Sequence, residues 1–561
     1  MRIAGLSSLG VLCSLAVLSV PLPARAGGLE LLPGGTRSVA RGGAVAARPE
    51  DAMGLLHNPA GLAYLSGDQM TFDLDFALGE TCADLYGYYG WGVYEERTSD
   101  FGDPLALEPT EENPVPYATT PLPKICNSGT QFPIPNIAWV GKLSEDFALG
   151  LGFVAPTVST GSRFGGRDGT IQRDGRALPT PTRYAAIDQS FEAFAPSVGA
   201  AYRIVPQLSI GVNMTVLMLS AKSRVIQNGT TGTQPSQDWL VDLEAEDYFL
   251  PTVTVSAHLR PMRGLDAMVG LRWVDDFDGH GKVTFETNTF HQSGESGAVP
   301  YRNDAVELPS VRIGLPWAVT AGVRYAGSLP DPGDDKEPHL GDPMDTELWD
   351  IEADATYYLN ERGSTTRVTA GGDIALVTRT PDGGGSSRIV SAEELEEVSV
   401  DRHLRDSIAL RLGGSFALAP RELAVHAGVF YENRGVDPAY ANIDTFAFAR
   451  VGFGVGAMWR VGDFDLKAAY GHIFQETMRI APPPHSNSGF DQRVGGEFSD
   501  DGVRSGGEVA RDPEAPSPED ADAVARLEQS SVLPSSEPRI INAGEYTASF
   551  NVFSLGASYH F

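Results

Sequence analysis

The chain has 561 residues, and 73 acidic against 42 basic side chains leave a net charge of −31. Affinity for nucleic acid rests largely on Lys and Arg neutralising phosphates, so nucleic acid is excluded as a partner. The 63 Gly and 39 Pro are too many for a helical protein, whereas 42% hydrophobic residues are too many for wholesale disorder. Mean hydropathy is −0.14, and no internal apolar run reaches transmembrane length, which excludes a helical membrane protein but not a membrane barrel, whose signal per strand is weak.

Arg2, the apolar stretch Ala4 to Val20 and the small-x-small triplet Ala24-Arg25-Ala26 read as a signal peptide over residues 1–26, removed on export. Cys13 leaves with it. The next segment, residues 27–66, does not alternate. It holds Arg37-Ser-Val-Ala-Arg-Gly42-Gly43-Ala-Val-Ala46, then Glu50-Asp51-Ala-Met and His57-Asn58-Pro59-Ala60-Gly61-Leu62. The first part suits a compact, Gly-interrupted plug; Asn-Pro-Ala-Gly is a turn in which Pro fixes φ and Gly permits φ > 0. Cys82 and Cys126 fall in one Pro/Asp/Glu-rich segment and read as a disulfide in an exported protein. Neither a CxxC pair nor a His cluster suggests zinc, and no metal or other cofactor is expected.

From Met70 onward the dominant period is two. Phe72, Leu74, Phe76 and Leu78 alternate with Thr71, Asp73, Asp75 and Ala77, the pattern of a strand with one apolar face. The same rule places strands beginning at 137, 147, 194, 208, 253, 265, 311, 349, 408, 421, 445, 464 and 553, giving fourteen, the even number a single-chain barrel needs to bring both ends to one side. Residues Val311 to Tyr325 read as one continuous strand. Val368 to Val377 alternates less cleanly and is placed as a hairpin arm inside a long loop.

The connections alternate between long and short. Short ones lie at 144–146, 205–207, 260–264, 419–420 and 460–463; the opposite class is long, and only 326–348 breaks the rule. An up-and-down barrel with long extracellular loops and short periplasmic turns produces that asymmetry, and a Greek-key sandwich does not. The non-apolar face is rich in Gly, Ala, Ser and Thr with scattered Arg, Asp and His, which fits an inside-out barrel with its apolar face in lipid. The fold expected is therefore all-β, a transmembrane antiparallel barrel over residues 67–561 in the bacterial outer membrane, with both termini periplasmic. The acidic excess collects in loops, at Asp331 to Glu337, Asp342 to Asp350, Glu393 to Glu397 and Asp500 to Asp522. Asp275 to His280 and Asp331 to Asp335 offer clustered carboxylates to calcium, but neither has EF-hand spacing and solvated loops are the simpler reading. Divalent cations bridging such carboxylates to lipopolysaccharide phosphates are a second role for them.

Taken together, Gly42-Gly43-Ala-Val-Ala, Asp51-Ala52 and Asn58-Pro59-Ala60-Gly61-Leu62 between a signal peptide and fourteen strands resemble the N-terminal hatch of the FadL family of outer-membrane transporters. Leu308-Pro309-Ser310, Trp349-Asp350 and Gly428-Val429-Phe430-Tyr431 add to the likeness. The final Phe553 to Phe561, with Tyr559 and Phe561 on the apolar face, resembles the C-terminal signal read by the barrel-assembly machinery. The resemblance implies a monomer that captures long-chain fatty acids or other hydrophobic molecules in its loops and lumen, then releases them sideways after a hatch rearrangement. The wall gap it implies near the third strand falls at Gly150, Gly152 and Pro156, where ordinary lumen-facing glycines are the alternative. Arg312, Arg324, Arg411 and Arg450 could meet a fatty-acid carboxylate. An enzyme barrel is not expected, since the mature chain has no Gly-x-Ser-x-Gly motif. A surface adhesin and an aromatic-hydrocarbon channel remain alternatives; a plug argues against an open porin.

Overall fold

The computed structural model describes residues 34–85, 122–129, 133–154, 160–173, 175–227, 239–287, 297–300, 306–329, 342–371, 373–379, 385–391, 398–443, 447–480, 497–499, 502–504 and 543–561. The signal segment 1–26, Pro156, and the acidic runs 331–337 and 393–397 lie outside them. Fourteen antiparallel strands form the wall. They are β1 (Gln69–Leu85), β2 (Ile134–Lys142), β3 (Phe147–Val154), β4 (Asp188–Val205), β5 (Leu208–Gln227), β6 (Trp239–Met262) and β7 (Leu265–Val274), then β8 (Trp317–Ser328), β9 (Glu347–Leu359), β10 (Ser407–Ala419), β11 (Leu423–Glu432), β12 (Arg450–Val461), β13 (Phe464–Gln475) and β14 (Gly544–His560). Each pairs with its sequence neighbour, and β1 closes the ring against β14 from Gln69↔His560 to Leu85↔Gly544. Closure leaves no sheet edge in the bilayer, where an unpaired N–H or C=O would cost several kcal/mol.

The sequence pattern is inside-out as expected. Met70, Phe72 and Phe76 of β1 are exposed, while Thr71, Asp73 and Asp75 are buried toward the lumen. Phe194 to Ile204 carry the outward apolar face of β4, about 33 Å along the strand and about 25 Å across the bilayer at a tilt near 40°. Short turns sit at the end that also holds Gln69 and His560. The long member of that class, between β8 and β9, ends in helix α3 (Pro343–Thr346), capped by Asp342 through Met344 N.

β4, β12 and β14 begin at Asp188, Arg450 and Gly544 and not at 194, 445 and 553, and two further strand readings need correction. The continuous strand over 311–325 is broken: Val311 and Ile313 belong to a separate strand, Val306–Ile313, and the wall strand begins only at Trp317. Pro316 has no N–H for the ladder, and Gly314 lies so close to the Arg362 carbonyl that a Cβ there would overlap it. Second, β6 starts at Trp239 and not near Val253. Its upper half, Trp239–Glu246, pairs on one side with β5 and on the other with a loop strand, Phe277–Thr287, beyond the end of β7. The Val368 region forms loop strands, Thr365–Gly371 and Asp373–Arg379, outside the wall.

The upper halves of β4 to β6 invert their faces. On β5, outward Val212, Met214 and Met218 give way to Ser220, Lys222 and Arg224, and inward Ser209 and Asn213 give way to Leu217 and Leu219. On β6 the reversal passes through an irregularity between Asp247 and Leu250, where Tyr248 and Phe249 stand exposed. A wall that leaves lipid for water must show polarity outside. Its inner face is then free to become apolar.

Candidate functional site

The lumen is filled by the segment that precedes the wall. Helix α1 (Thr36–Ala40), α2 (Gly54–His57) and a 3₁₀ turn (Pro59–Tyr64) are almost wholly buried there. Its hold on the wall is polar at one end and apolar on one side. The backbone N–H groups at the start of α1 point at strand carboxylates: Gly35 N donates to Asp75 Oδ2 at 3.2 Å and Thr36 N to Asp73 Oδ2 at 3.1 Å. Those first donors have no partner inside the helix, so the carboxylates satisfy them and complement the helix end.

Beyond α1 the chain turns at Gly42 (φ 60°) and Gly43 (φ 85°), a left-handed conformation that suits glycine. This turn rests on a row of directly paired wall glycines on four adjacent strands, since Gly413 pairs with Gly428, Gly428 with Gly454 and Gly454 with Gly471. A Cβ at Gly428 would overlap the Arg41 carbonyl, and one at Gly454 the Val39 carbonyl. The lumen-facing glycines that alternate along β10 to β13 are thus a seat for backbone. That alternation was visible in the sequence; its match to residues 39–42 was not.

Arg41 is fully buried. Its guanidinium donates to Asp350 Oδ1 at 2.7 Å and Glu352 Oε2 at 2.9 Å on β9, and its Nε to Ala44 O at 2.8 Å. Glu352 and Asp354 also accept from Ala47 N (2.7 Å) and Ala46 N (3.0 Å). Arg37 pairs with Glu50; Arg324 on β8 meets Glu50 at 3.2 Å and Asp350 at 3.3 Å, and pairs with Glu347. Asp51 accepts from Lys467 Nζ at 2.7 Å, with Asp73 on the far side of that ammonium at 3.2 Å. Burial alone would raise the Asp51 carboxyl, but Lys467 and the Met53 N–H hold it below its ordinary 3.8.

Asn58 is completely buried and caps the 3₁₀ turn, accepting from Gly61 N at 3.2 Å and donating to Ala46 O at 2.9 Å. Ser256 donates to Asn58 Oδ1 at 3.0 Å and accepts from Ala60 N at 2.9 Å, while Ser209 donates to the Ala60 carbonyl at 2.7 Å. Pro59 fits the first position of that turn, which needs no N–H. Gly42, Asp51, Asn58, Pro59, Ala60 and Gly61 therefore lie at the contact between plug and wall, while Gly43 turns within the plug, its N–H donating to Ser38 O at 2.8 Å.

Gly150 and Gly152 sit elsewhere than a gap. β3 is paired without interruption from Phe147 to Val154 on its β4 side and from Ala148 to Val154 on its β2 side. The Leu55 side chain fills the space in front of both glycines, where their Cβ atoms would stand 2.9 and 3.1 Å from its methyls. Above β3, Thr160–Arg163 pairs with β4 from Phe191 to Asp188, Ile125–Cys126 pairs with β1, and Ser128 N donates to Arg163 O at 2.8 Å, so the wall continues over this stretch. Cys82 of β1 and Cys126 form a disulfide at that level. Tyr559 and Phe561 lie at the end of β14 with ring centroids 4.7 Å apart, and Phe561 N donates to Asp68 O at 3.0 Å.

Of the four arginines considered for a carboxylate ligand, three are engaged by the protein's own acids: Arg324 as above, Arg450 with Glu432 at 2.6 Å, and Arg312 with Asp278 at 2.6 Å, outside the lumen. Arg411 donates instead to neutral hydroxyls, Thr356 Oγ1 at 2.9 Å and Tyr358 OH at 3.1 Å. Asp276 and Asp278 of the candidate calcium loop pair with Arg362 and Arg312, so their charge is already met. Arg41, Asp350, Glu352 and Lys467 were not singled out from the sequence, where each is one charge in a strand or a Gly-rich run.

Above the plug, the inverted inner faces of β5 and β6 bring Leu217, Leu219, Val241, Leu243 and Leu250 into one apolar cluster with Phe277 and Val283 of the loop strand. Neither protein-family models nor curated protein sequences match this chain. Solved structures do. A Pseudomonas aeruginosa FadL homologue superposes with a TM-score of 0.58 at 14% identity, covering 94% of this chain and 98% of its own. The P. putida toluene transporter TodX gives 0.53 at 12% identity, and the Ralstonia pickettii toluene transporter TbuX 0.50 at 11%, each over 94% of this chain and 98% of theirs. The plug, the fourteen-strand wall and these superpositions together give the chain the fold of the FadL family.

Proposed function

We propose that this chain is an outer-membrane transporter of hydrophobic molecules, and not an enzyme, with its long loops outside the cell and both termini in the periplasm. The observation that carries the reading is the inversion of β5 and β6, which puts an apolar inner face at the long-loop end above a lumen closed by a polar-anchored plug. An apolar cargo gains about 0.8 kcal/mol per CH₂ by staying out of water. The apolar face receives it, the hatch blocks direct passage, and a hatch rearrangement precedes release sideways into lipid. Long-chain fatty acids and monoaromatic hydrocarbons are both candidate cargoes, supported by the FadL homologue and the toluene transporters that share the fold.

Uptake of labelled oleate and of labelled toluene by cells lacking their own channels tests this, with heat-modifiable gel migration confirming a folded barrel. Cargo uptake that falls in Leu243→Asp supports the reading. Uptake of neither cargo by a correctly folded barrel refutes it and favours an adhesin.

A further inference from the structure

The outward faces of β4 to β6 carry charge immediately beyond the lipid-facing band, and there they form a groove of about 410 Å³. Five cations, Arg163, Arg167, Lys222, Arg224 and Lys282, meet four carboxylates, Asp188, Glu192, Asp242 and Glu244. In a chain of net charge −31, this is a local excess of positive charge. Register fixes its height. Lys222 stands opposite Ser190, four residues past the last lipid-facing pair, Phe194 and Met218. That is about 13 Å along the strand and about 10 Å along the bilayer normal, the outer margin of the headgroup layer, within reach of long Lys and Arg side chains that bend toward it.

We propose that this groove binds the phosphate groups of a phosphorylated glycolipid in the outer leaflet. The cations are presented for it. The side chains of Arg163, Lys222 and Lys282 are 49%, 54% and 51% exposed. Each rests on a carboxylate: Arg163 on Asp188 at 2.9 Å, and Lys222 and Lys282 on either side of Glu244 at 3.2 and 3.4 Å. Exposed pairs of this kind contribute little, so exchanging a carboxylate for a phosphate costs little, while the two lysines that share Glu244 leave one positive charge unmatched. Below the groove, Phe153 and Phe194 stack with centroids 6.0 Å apart, and Tyr248 and Phe249 stand exposed. These rings give the acyl chains a surface and anchor the headgroup level. The charged face serves to fix lipid around the barrel and is separate from cargo movement.

The leaflet named rests on the orientation proposed above, and the test separates the two. Native mass spectrometry of the full barrel in dodecyl maltoside, mixed with bisphosphorylated lipid A, reads retention directly. The native chain should retain the lipid, Lys222→Gln/Lys282→Gln should retain about tenfold less, and Lys222→Arg/Lys282→Arg should restore it. Lipid A stripped of its phosphates should not be retained. Equal retention by the Gln variant, or no retention by the native barrel, overturns the proposal. Displacement by millimolar inorganic phosphate overturns it in favour of a free-anion site. Orientation is read apart, by labelling Thr284→Cys with an impermeant maleimide on intact cells. Lipid retention without that labelling refutes the leaflet while leaving the site.

Discussion

Removing the Arg41 guanidinium tests what holds the hatch. Arg41→Met keeps the length of the side chain but strands Glu352, whose oxygen lies 2.9 Å from the lost nitrogen in a fully buried site, and leaves Asp350 with Arg324 alone at 3.3 Å. Removing one partner of a buried ion pair costs about 3–5 kcal/mol, because the charge left behind is uncompensated. At about 1.4 kcal/mol per factor of ten, the docked-to-undocked ratio of the plug should fall by about two to four orders of magnitude. The wall should be untouched, since its ladder contains none of these bonds. Two assays read the plug. Ion conductance in planar bilayers should rise as the polar lumen opens, and limited proteolysis should cut within residues 34–66. Arg41→Met/Asp350→Asn/Glu352→Gln should recover much of the docking, because Gln can still accept from Ala47 N at the position Glu352 holds. A single variant as tight as the native chain would refute the reasoning. A triple variant as loose as the single would show that lost packing, and not stranded charge, opened the hatch.

Gly428→Ala and Gly454→Ala place a methyl on the carbonyls of Arg41 and Val39, so each should loosen the plug by about 1–3 kcal/mol of overpacking in the same conductance assay; Gly462→Ala, which meets nothing within 4 Å, should not. Asn58→Ala removes the bonds to Gly61, Ala46 and Ser256 and should cost about 2–3 kcal/mol, read as faster hydrogen exchange at Ala60 and Gly61. Because the Asp51 carboxyl is held below 3.8 by Lys467, its contribution is complete above about pH 4 and is lost as pH falls through its depressed native value. Conductance titrated downward should therefore show a rise through that range, and Asp51→Asn should abolish this limb. Cys82→Ser/Cys126→Ser removes a crosslink spanning 44 residues, about 4 kcal/mol of loop-closure entropy. Protease sensitivity should appear between the two positions while barrel migration stays heat-modifiable. Finally, amides from Phe147 to Val154 should be fully protected, and rapid exchange at Gly150 or Gly152 would contradict their paired register.

Sequence alone determined the wall. A period of two, fourteen times over, with apolar side chains opposite Gly, Ser and Thr and with connections that alternate in length, leaves little but a closed barrel, because each statement is local and repeats. The Asn58-Pro59-Ala60-Gly61 turn was legible for the same reason: capping and Pro geometry act within a few residues. Tertiary structure decided what the sequence could not order. The end of one strand at Ile313 and the start of the next at Trp317 depend on which neighbour each finds, and the alternation continues across the break. The upper half of β6 was missed because its apolar and acidic residues exchange faces where the wall leaves lipid. Arg41 and Glu352 are 311 residues apart, and no spacing rule links them. The glycine row is read correctly as small on each strand, but only strand pairing sets the four glycines side by side and lays the backbone of residues 39–42 against them.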